Sequence, residues 1–285
     1  MKIDLLSAPA MVTWQLTQDC NLACLHCCTD SAPGRKAANE LSRDEALKIA
    51  DQLTDMPYVM IVGGEPTIVP WFWDVCERLS SVFLKIETNG QTLTRQDCAR
   101  LAKQQIRSVQ ISIDGATQET YAKMRPGASL ARTLESCRFV VEAGLPLEIT
   151  FAPAKFNLHE AEAVIDLARE LGAFRFNTGR LMKLGTASKL WDRLEPSEAE
   201  YEKFYSMLCR REGAKPELLF RPFSIEEDLR RTEPSGTLLI NPSGLVQLWG
   251  PLKQVVADLR AQTVQQAWDA YRASWRENLN LPVMV

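Results

Sequence analysis

The sequence predicts an α/β protein built on a mostly parallel sheet of six strand–helix units. Over the first two thirds of the 285 residues, six short runs rich in apolar and β-branched residues alternate with helical runs. Most of these runs are apolar almost throughout, which is typical of parallel strands buried on both faces. Strands that alternate with helices form right-handed βαβ units. Six such units make a partial (β/α)6 TIM-like barrel, three quarters of the complete architecture.

Local signals mark where the elements begin and end. The six predicted strands begin at Val12, Tyr58, Phe83, Ser108, Leu145 and Phe174. Helix starts are predicted where a capping residue is followed three positions later by an acidic residue, at Ser42 with Glu45, Thr94 with Asp97, Asn157 with Glu160 and Ser197 with Glu200. Two helices are expected to end before the C-terminal glycines Gly144 and Gly172.

The pattern changes after Gly185. A helix through Leu208 and an irregular stretch precede residues 237–249, which read as a β-hairpin around a Pro-Ser-Gly turn. A final helix carries the apolar residues Val264, Ala267, Trp268 and Tyr271. We therefore expect a barrel core over residues 1–185 and a small C-terminal region, a hairpin plus a helix, over residues 186–285.

Composition excludes several classes of function. The net charge is −3, and Lys and Arg are scattered rather than clustered, which disfavours nucleic acid as a partner. No apolar run approaches the roughly 18 residues of a membrane span, and the N-terminus lacks a signal-peptide pattern. Four of the eight cysteines crowd into positions 20–28, and the others stand singly. We expect a cytoplasmic protein with one metal site and no membrane association.

The spacing C-x₃-C-x₂-C of Cys20, Cys24 and Cys27 indicates that metal site. An iron–sulfur cubane takes four thiolates, so three cysteines leave one iron without a protein ligand. An open position marks a metal that binds substrate, as it does in catalytic zinc sites. The spacing, with His26 beside it, is also compatible with structural zinc.

The CxxxCxxC motif followed by Gly63, Gly64, Glu65 and Pro66 resembles the radical S-adenosylmethionine (SAM) superfamily. The resemblance implies that Cys20, Cys24 and Cys27 bind a [4Fe-4S] cluster whose open iron chelates SAM. It implies an enzyme that cleaves SAM reductively to a 5′-deoxyadenosyl radical, which abstracts hydrogen from the substrate. The Gly-Gly-Glu-Pro backbone would face the SAM amino group.

Further candidate SAM contacts follow the next two predicted strands. Glu87 and Asn89 end the third strand, and Ser112 and Asp114 end the fourth, at the edge where parallel barrels place their chemistry. By the resemblance, Ser112 and Asp114 hold the ribose hydroxyls and the carboxylate of SAM, and Arg125 reaches the carboxylate. A strand-end turn is the alternative for the first pair, and a surface position is the alternative for Arg125. No side chain is assigned to a catalytic step.

The segments CNLACLHC, GGEPT, ETNG and ISIDG and the tail hairpin resemble the maturation enzymes of pyrroloquinoline quinone and mycofactocin, which carry SPASM or Twitch tails. This implies maturation of a peptide or peptide-derived substrate and an electron donor of the flavodoxin or ferredoxin type. Since only nineteen residues precede Cys20, a separate peptide-recognition protein is expected. No cysteine follows Cys209, and Trp249 stands where one is expected, so the tail is predicted to be a degenerate SPASM/Twitch-like region.

Two other functions stay open at this point. One is a radical SAM dehydrogenase, epimerase or decarboxylase that acts on a small molecule. The other is a zinc-binding or degenerate protein without enzymatic activity. Cys28, directly after the third cysteine of the motif, is predicted to be a small buried residue rather than a fourth ligand.

Overall fold

In the computed structural model, which describes residues 6–224, 236–248 and 254–278, ten strands form one sheet. They are β1 (Met11–Gln15), β2 (Tyr58–Val62), β3 (Phe83–Thr88), β4 (Ile106–Ser112), β5 (Leu147–Phe151), β6 (Arg175–Gly179), β7 (Glu217–Arg221), β8 (Thr237–Ile240), β9 (Leu245–Gln247) and β10 (Val255–Asp258). Their order is β10-β9-β8-β1-β2-β3-β4-β5-β6-β7. Neighbours from β8 to β7 run parallel, and β9 pairs antiparallel with β8 and β10. The predicted α/β fold with a parallel sheet is confirmed.

The six predicted strands are all present, each beginning within two residues of its expected start. The seventh strand, β7, lies in the stretch that the sequence predicted to be irregular, so that prediction was wrong. β7 has half-buried Leu218 and Phe220 between exposed neighbours, the short alternation of an edge strand. Five residues of this kind, with no helix pattern after them, give too weak a signal to be recognised in the sequence.

Ten helices occur in the described part of the chain. They are α1 (Arg43–Gln52), α2 (Phe72–Arg78), α3 (Arg95–Leu101), α4 (Gln118–Met124), α5 (Leu130–Glu142), α6 (Ala161–Glu170), α7 (Gly185–Lys189), α8 (Trp191–Leu194), α9 (Glu198–Arg210) and α10 (Val264–Asn278). Short 3₁₀ helices occupy Pro66–Ile68 and Leu158–Glu160.

Three of the four predicted capping pairs are confirmed. Ser42, Thr94 and Ser197 each form a complete capping box with the acidic residue three positions on. Gly144 and Gly172 follow α5 and α6 with φ of 74° and 80°, as C-terminal glycines do.

The fourth predicted capping pair, Asn157 with Glu160, was wrong. Neither side chain caps the helix that follows. The Asn157 amide instead donates to the backbone oxygens of Asp114 and Ala152, at 3.0 and 2.9 Å. The Glu160 carboxylate accepts hydrogen bonds from Ala116 N (2.6 Å) and from the N-terminal turn of α4. Both side chains therefore brace the loop after β4 rather than their own helix.

The inner face of the sheet is polar. Lys85 of β3 donates to Glu148 of β5 across the intervening strand, at 3.0 Å. Glu148 also accepts from Ser108 (2.5 Å) and from Asn177 (2.7 Å). Contacts between strands that are not neighbours show that this face is concave, as in a partial barrel. The outer face packs against the helices and contributes the fully buried Val59, Ile61, Ile86 and Ile149 to the main core.

The C-terminal region joins the same sheet. The predicted hairpin is confirmed as β8 and β9, and β8 pairs with β1 from Met11↔Thr237 to Trp14↔Ile240. The final helix is also confirmed, with its four predicted apolar residues buried. Trp249 lies outside the described residues. The division of the chain at residue 185 stays a prediction. Among the helices that the structure describes, none combines the length and the apolar character that a membrane crossing needs.

We predict that the Lys85–Glu148 ion pair stabilises the inner face. Both side chains are nearly inaccessible, at 11% and 3% exposure. Lys85→Met should lower the free energy of unfolding by about 3 kcal/mol, because it leaves a buried carboxylate without its cation. Urea denaturation of Lys85→Met, Glu148→Gln and the double variant measures this. The double variant should be more stable than the sum of the two single losses implies, and simple additivity would contradict the coupling.

Candidate active site

A cavity of about 500 Å³ opens at the carboxyl ends of the parallel strands. Nine of the twelve predicted site residues line it, namely Cys20, Cys24, Cys27, Gly63, Gly64, Glu87, Asn89, Ser112 and Arg125. The structure thus brings predicted residues from four strand ends to one cavity. The other three predicted residues, Glu65, Pro66 and Asp114, are buried and do not line it.

The Cys20 thiol is held by groups at the end of β3. Its sulfur accepts a hydrogen bond from Leu22 N at 3.4 Å and one from the Asn89 amide at 3.7 Å. Asn89 also donates to Asn21 Oδ1 at 2.7 Å, so its amide side chain faces the cysteine loop. Burial raises the pKa of Cys20 to about 12. The predicted SAM contact Asn89 is thus in the first place a residue that positions Cys20.

The Cys24 thiol lies beside a buried ion pair. Arg125 donates through Nε to Asp114 Oδ2 at 2.6 Å and through a terminal nitrogen to Cys24 Sγ at 3.6 Å. His26 Nε2 lies 3.2 Å from the same Asp114 oxygen and 3.3 Å from Arg125. Burial raises the pKa of Cys24, and the guanidinium charge acts in the opposite direction. Arg125 is 7% exposed, so the alternative that it is a surface residue is excluded.

Asp114 is fully buried and binds the Arg125 side chain. Its Oδ1 accepts from Ala152 N at 2.8 Å, and its Oδ2 is bound to Arg125 and His26. Burial disfavours the charged carboxylate, but the Arg125 guanidinium outweighs burial and holds the pKa of Asp114 below its ordinary value. This geometry makes Asp114 the support of Arg125, and its contact with SAM stays a prediction.

The Cys27 thiol is held within its own loop. Ser31 N donates to its sulfur at 3.3 Å, and the Thr29 hydroxyl lies at the same distance. Its neighbour Cys28 also lines the cavity and is half-buried, and burial raises its pKa to about 12. Cys28 is thus less buried than the sequence predicted, and its exclusion as a fourth ligand stays a prediction.

The Gly-Gly-Glu-Pro loop packs directly on the segment that leads into the cysteines. Gly64 N donates to Thr17 O at 2.7 Å, and Glu65 N donates to Asp19 O at 2.9 Å. A Cβ on Gly64 would stand 2.1 Å from Asp19 O. The close backbone approach that requires glycine here is therefore an approach to the chain itself. The contact of this loop with the SAM amino group stays a prediction.

Glu65 connects this loop to the next strand. Its carboxylate accepts hydrogen bonds from the Thr67 hydroxyl (2.6 Å) and the Thr88 hydroxyl (2.7 Å). It also accepts from the backbone of Asn89 at 2.8 Å. Burial raises the pKa of Glu65, although these bonds favour the charged form. Glu65 therefore shapes the loop.

Two predicted residues on the cavity wall, Glu87 and Ser112, have side-chain oxygen atoms that can still accept a hydrogen bond from a ligand. Glu87 accepts one bond, from Gln110 Nε2 to Oε1 at 2.9 Å, and burial raises its pKa. For the Ser112 hydroxyl, the described residues contain no hydrogen-bond partner, and only its carbonyl is contacted, by Tyr121. Among the predicted SAM contacts on the cavity wall, Ser112 is therefore the polar side chain with the fewest competing hydrogen bonds.

The three thiols fit an iron–sulfur cluster. All three sulfurs line one cavity, and each accepts a hydrogen bond from an N–H group, which stabilises thiolate charge. Within the described ranges, no three His, Cys, Asp or Glu side chains surround one point as the ligands of a single ion would. A cubane does not require this, because each of its thiolates binds a different iron.

Sequence reasoning missed several residues that hold this site. Asn157 and Glu160 are predicted as a helix-capping pair, and His26 is given no contact, although all three make hydrogen bonds or ion pairs to the loops around the cavity. The short helix α7, which packs on the cysteine loop, was not predicted at all. Their partners lie tens of residues away in the chain, so no local spacing could have found them.

Comparison with known proteins agrees with this site. Residues 14–175 match the radical SAM superfamily, which is more than half of the chain. The protein belongs to that superfamily of enzymes, and its cofactors are a [4Fe-4S] cluster and SAM.

The chain is similar in sequence to a maturase and to a heme synthase. The mycofactocin maturase MftC of Mycobacterium ulcerans is 35% identical over 208 residues, which is 71% of this chain and 56% of the relative. The AdoMet-dependent heme synthase of Methanosarcina barkeri is 33% identical over 218 residues, 72% of this chain and 60% of the relative. The chain thus spans only a little over half the length of these relatives.

Solved structures share the fold at lower sequence identity. SuiB of Streptococcus suis bound to its precursor peptide SuiA superposes with a TM-score of 0.77 at 16% identity, covering 96% of this chain and 68% of SuiB. The enzyme anSMEcpe with bound AdoMet and a Cp18Cys peptide gives a TM-score of 0.71 at 12% identity, covering 96% and 84%.

We predict that Gly64→Ala disturbs the cysteine loop rather than only SAM binding. Its Cβ would overlap the backbone of Asp19, next to Cys20, so the free energy of unfolding should fall by about 2–3 kcal/mol and iron loading should fall with it. Gly179→Ala is the matched control, because its Cβ would meet only ordinary contacts beyond 3.5 Å. Urea denaturation and iron analysis measure both effects. A Gly64→Ala variant with normal stability and iron would contradict the packing shown here.

Proposed function

We propose that this protein is a radical SAM enzyme that abstracts hydrogen from a peptide or peptide-derived substrate. Cys20, Cys24 and Cys27 hold the cluster, and Gly63, Gly64, Glu87, Asn89, Ser112 and Arg125 form the SAM side of the cavity. The bound cluster supplies the electron that cleaves SAM to a 5′-deoxyadenosyl radical. Glu65, Pro66 and Asp114 support this wall from behind.

One observation carries the proposal. The three thiols, the glycine loop and Ser112 lie at the ends of different strands, Arg125 follows helix α4, and all of them line a single cavity. The chain's own residues have defined tasks there. Asn89 orients Cys20, Arg125 places a positive charge beside Cys24, and the strand ends enclose the space that SAM and substrate share.

The peptide class of substrate is supported by the mycofactocin maturase relative and by the peptide-bound SuiB fold. A flavodoxin- or ferredoxin-type electron donor and a separate peptide-recognition protein are part of this proposal. A second candidate, a small-molecule substrate, is favoured by the similarity to the heme synthase. Release of 5′-deoxyadenosine by the anaerobic enzyme distinguishes the two candidate functions. A short peptide encoded beside this gene should accelerate the release in the first case, and a small molecule should accelerate it in the second.

The first test concerns the cluster. After anaerobic reconstitution the protein should hold about four irons and four sulfides, as one cubane implies. Replacing Cys20, Cys24 and Cys27 together by serine should remove them, and Cys28→Ser should retain most of them as the matched control. Iron, sulfide and zinc analyses measure this. Stoichiometric zinc without sulfide would refute the proposal.

The second test concerns SAM. Ser112→Ala should weaken SAM binding about five- to tenfold, the effect of one lost hydrogen bond, and leave the iron content unchanged. Ser206→Ala, exposed on α9 and outside the cavity wall, is the control. Equilibrium binding of SAM and release of 5′-deoxyadenosine with dithionite report the effect. Unchanged affinity in Ser112→Ala would remove Ser112 from the SAM site.

A further inference from the structure

The five-residue helix α7 lies directly against the cysteine loop. Thr186 N donates to the carbonyl oxygen of Cys27 at 2.8 Å, and Ala187 N lies 3.4 Å from the same oxygen. The two segments are separated by more than 150 residues in the chain, so this contact is a tertiary one. It fixes the peptide plane between the third cysteine of the motif and Cys28.

Gly185, the first residue of α7, touches the loop through its backbone. It has φ of +54°, which favours glycine. A Cβ at this position would stand 2.6 Å from each of three backbone atoms, Cys27 O, Cys28 C and Asp30 N. Because backbone atoms cannot yield as a flexible side chain does, any other residue here would push α7 and the cysteine loop apart.

Asp30 forms a second tie at the other end of the loop. Its Oδ1 accepts from the Thr186 hydroxyl at 2.8 Å, and both carboxylate oxygens lie 2.9 Å from Lys189 Nζ. Asp30 itself has φ of +58°, a conformation that costs energy for a residue other than glycine. The ties from α7 hold the loop in that conformation.

Apolar packing adds to these polar ties. Leu25, between the second and third cysteines, packs on a small core separate from the main one. That core contains Ala187 of α7 and Leu194 of α8, together with Met124, Ala154 and Leu181. The segment after β6 therefore covers the cysteine loop with both polar and apolar contacts.

We propose that α7 is a brace that positions the Cys27 thiolate and retains the cluster, with Gly185, Thr186 and Lys189 as positioning residues. The inference rests on the proposed function, since it concerns the cluster that Cys27 binds. The brace restrains the third cysteine as Asn89 restrains the first and Arg125 the second. Without it, the Cys27 ligand is held only by bonds within its own loop, to Thr29 and Ser31.

The test compares two glycine variants of the reconstituted holoenzyme. Gly185→Ala adds a Cβ that collides with the cysteine loop, whereas Gly213→Ala has the same kind of positive φ, +85°, and no atom within 4 Å of its Cβ. The loss of cluster absorbance in the presence of EDTA should be at least about tenfold faster in Gly185→Ala. Gly213→Ala should lose its cluster at the wild-type rate. The electron paramagnetic resonance spectrum of the reduced cluster should change only in Gly185→Ala.

A milder double variant tests the same inference if Gly185→Ala does not fold. Thr186→Val/Lys189→Ala removes the ties from α7 to Asp30 without adding bulk and leaves the ion pair of Asp30 with Arg35 in place. It should lose its cluster about three- to tenfold faster than wild type at an unchanged melting temperature. Lys189→Arg should restore most of the retention when combined with Thr186→Val. Arg193→Ala, exposed on α8, is the control for loss of one positive charge.

The outcomes separate this inference from the proposed function. If wild type binds a cluster and both Gly185→Ala and Thr186→Val/Lys189→Ala lose it at the wild-type rate with an unchanged spectrum, the brace is refuted and the proposed function stands. If the wild-type protein takes up no cluster, both proposals fall together.

Discussion

The buried carboxylate of Glu65 is the constraint on which the geometry of the site depends. Through its backbone N–H, Glu65 is bound to Asp19 after β1, and through its side chain to Thr88 and Asn89 at the end of β3. It lies after β2, so one residue ties three neighbouring strand ends together. Charge-assisted hydrogen bonds to a fully buried carboxylate are strong and directional. Asn89, placed in this way, reaches Cys20, so the position of the first thiol follows from Glu65.

Cys24 and Cys27 are also restrained by groups from distant parts of the chain, but through different chemistry. Asp114 ties the end of β4 to Ala152 after β5, and it orients Arg125 toward Cys24. At Cys27 the partner is the backbone of α7. Each cysteine of the motif is therefore restrained from a distant part of the chain: by a neutral amide at the Cys20 sulfur, by a guanidinium at the Cys24 sulfur and by peptide N–H groups at the Cys27 carbonyl oxygen. Under the proposed function each of these cysteines would bind a different iron, and three independent restraints are appropriate there because an error at one ligand is not corrected by the others.

The sequence predicted most of the fold and of the site because those features have local signals. Buried parallel strands have continuous apolar runs, capping boxes have a fixed spacing, and the CxxxCxxC and GGEP motifs mark their loops directly. The supporting contacts have no such signal. Glu160 accepts hydrogen bonds from the loop that leads into α4, and Asp114 supports Arg125 rather than standing on the cavity wall. In both cases the residue type was noticed correctly, but its partner was set by tertiary packing. The strand β7 was missed because its local sequence pattern is weak, although its pairing with β6 in the structure is regular.

The pairing of β8 with β1 connects the C-terminal region to the loop that carries Cys20, Cys24 and Cys27. β1 leads directly into the segment that carries Cys20, and it is held on one side by β2 and on the other by β8. Arg260, after β10, donates to Glu45 of α1 at 2.8 Å, and Gly244 in the hairpin turn packs on Leu41 and Ile49. Without β8, β1 would be an edge strand with unpaired backbone groups beside the metal site. The hairpin therefore contributes to the site by completing the sheet under the first cysteine, a role that requires no metal ligand in the tail.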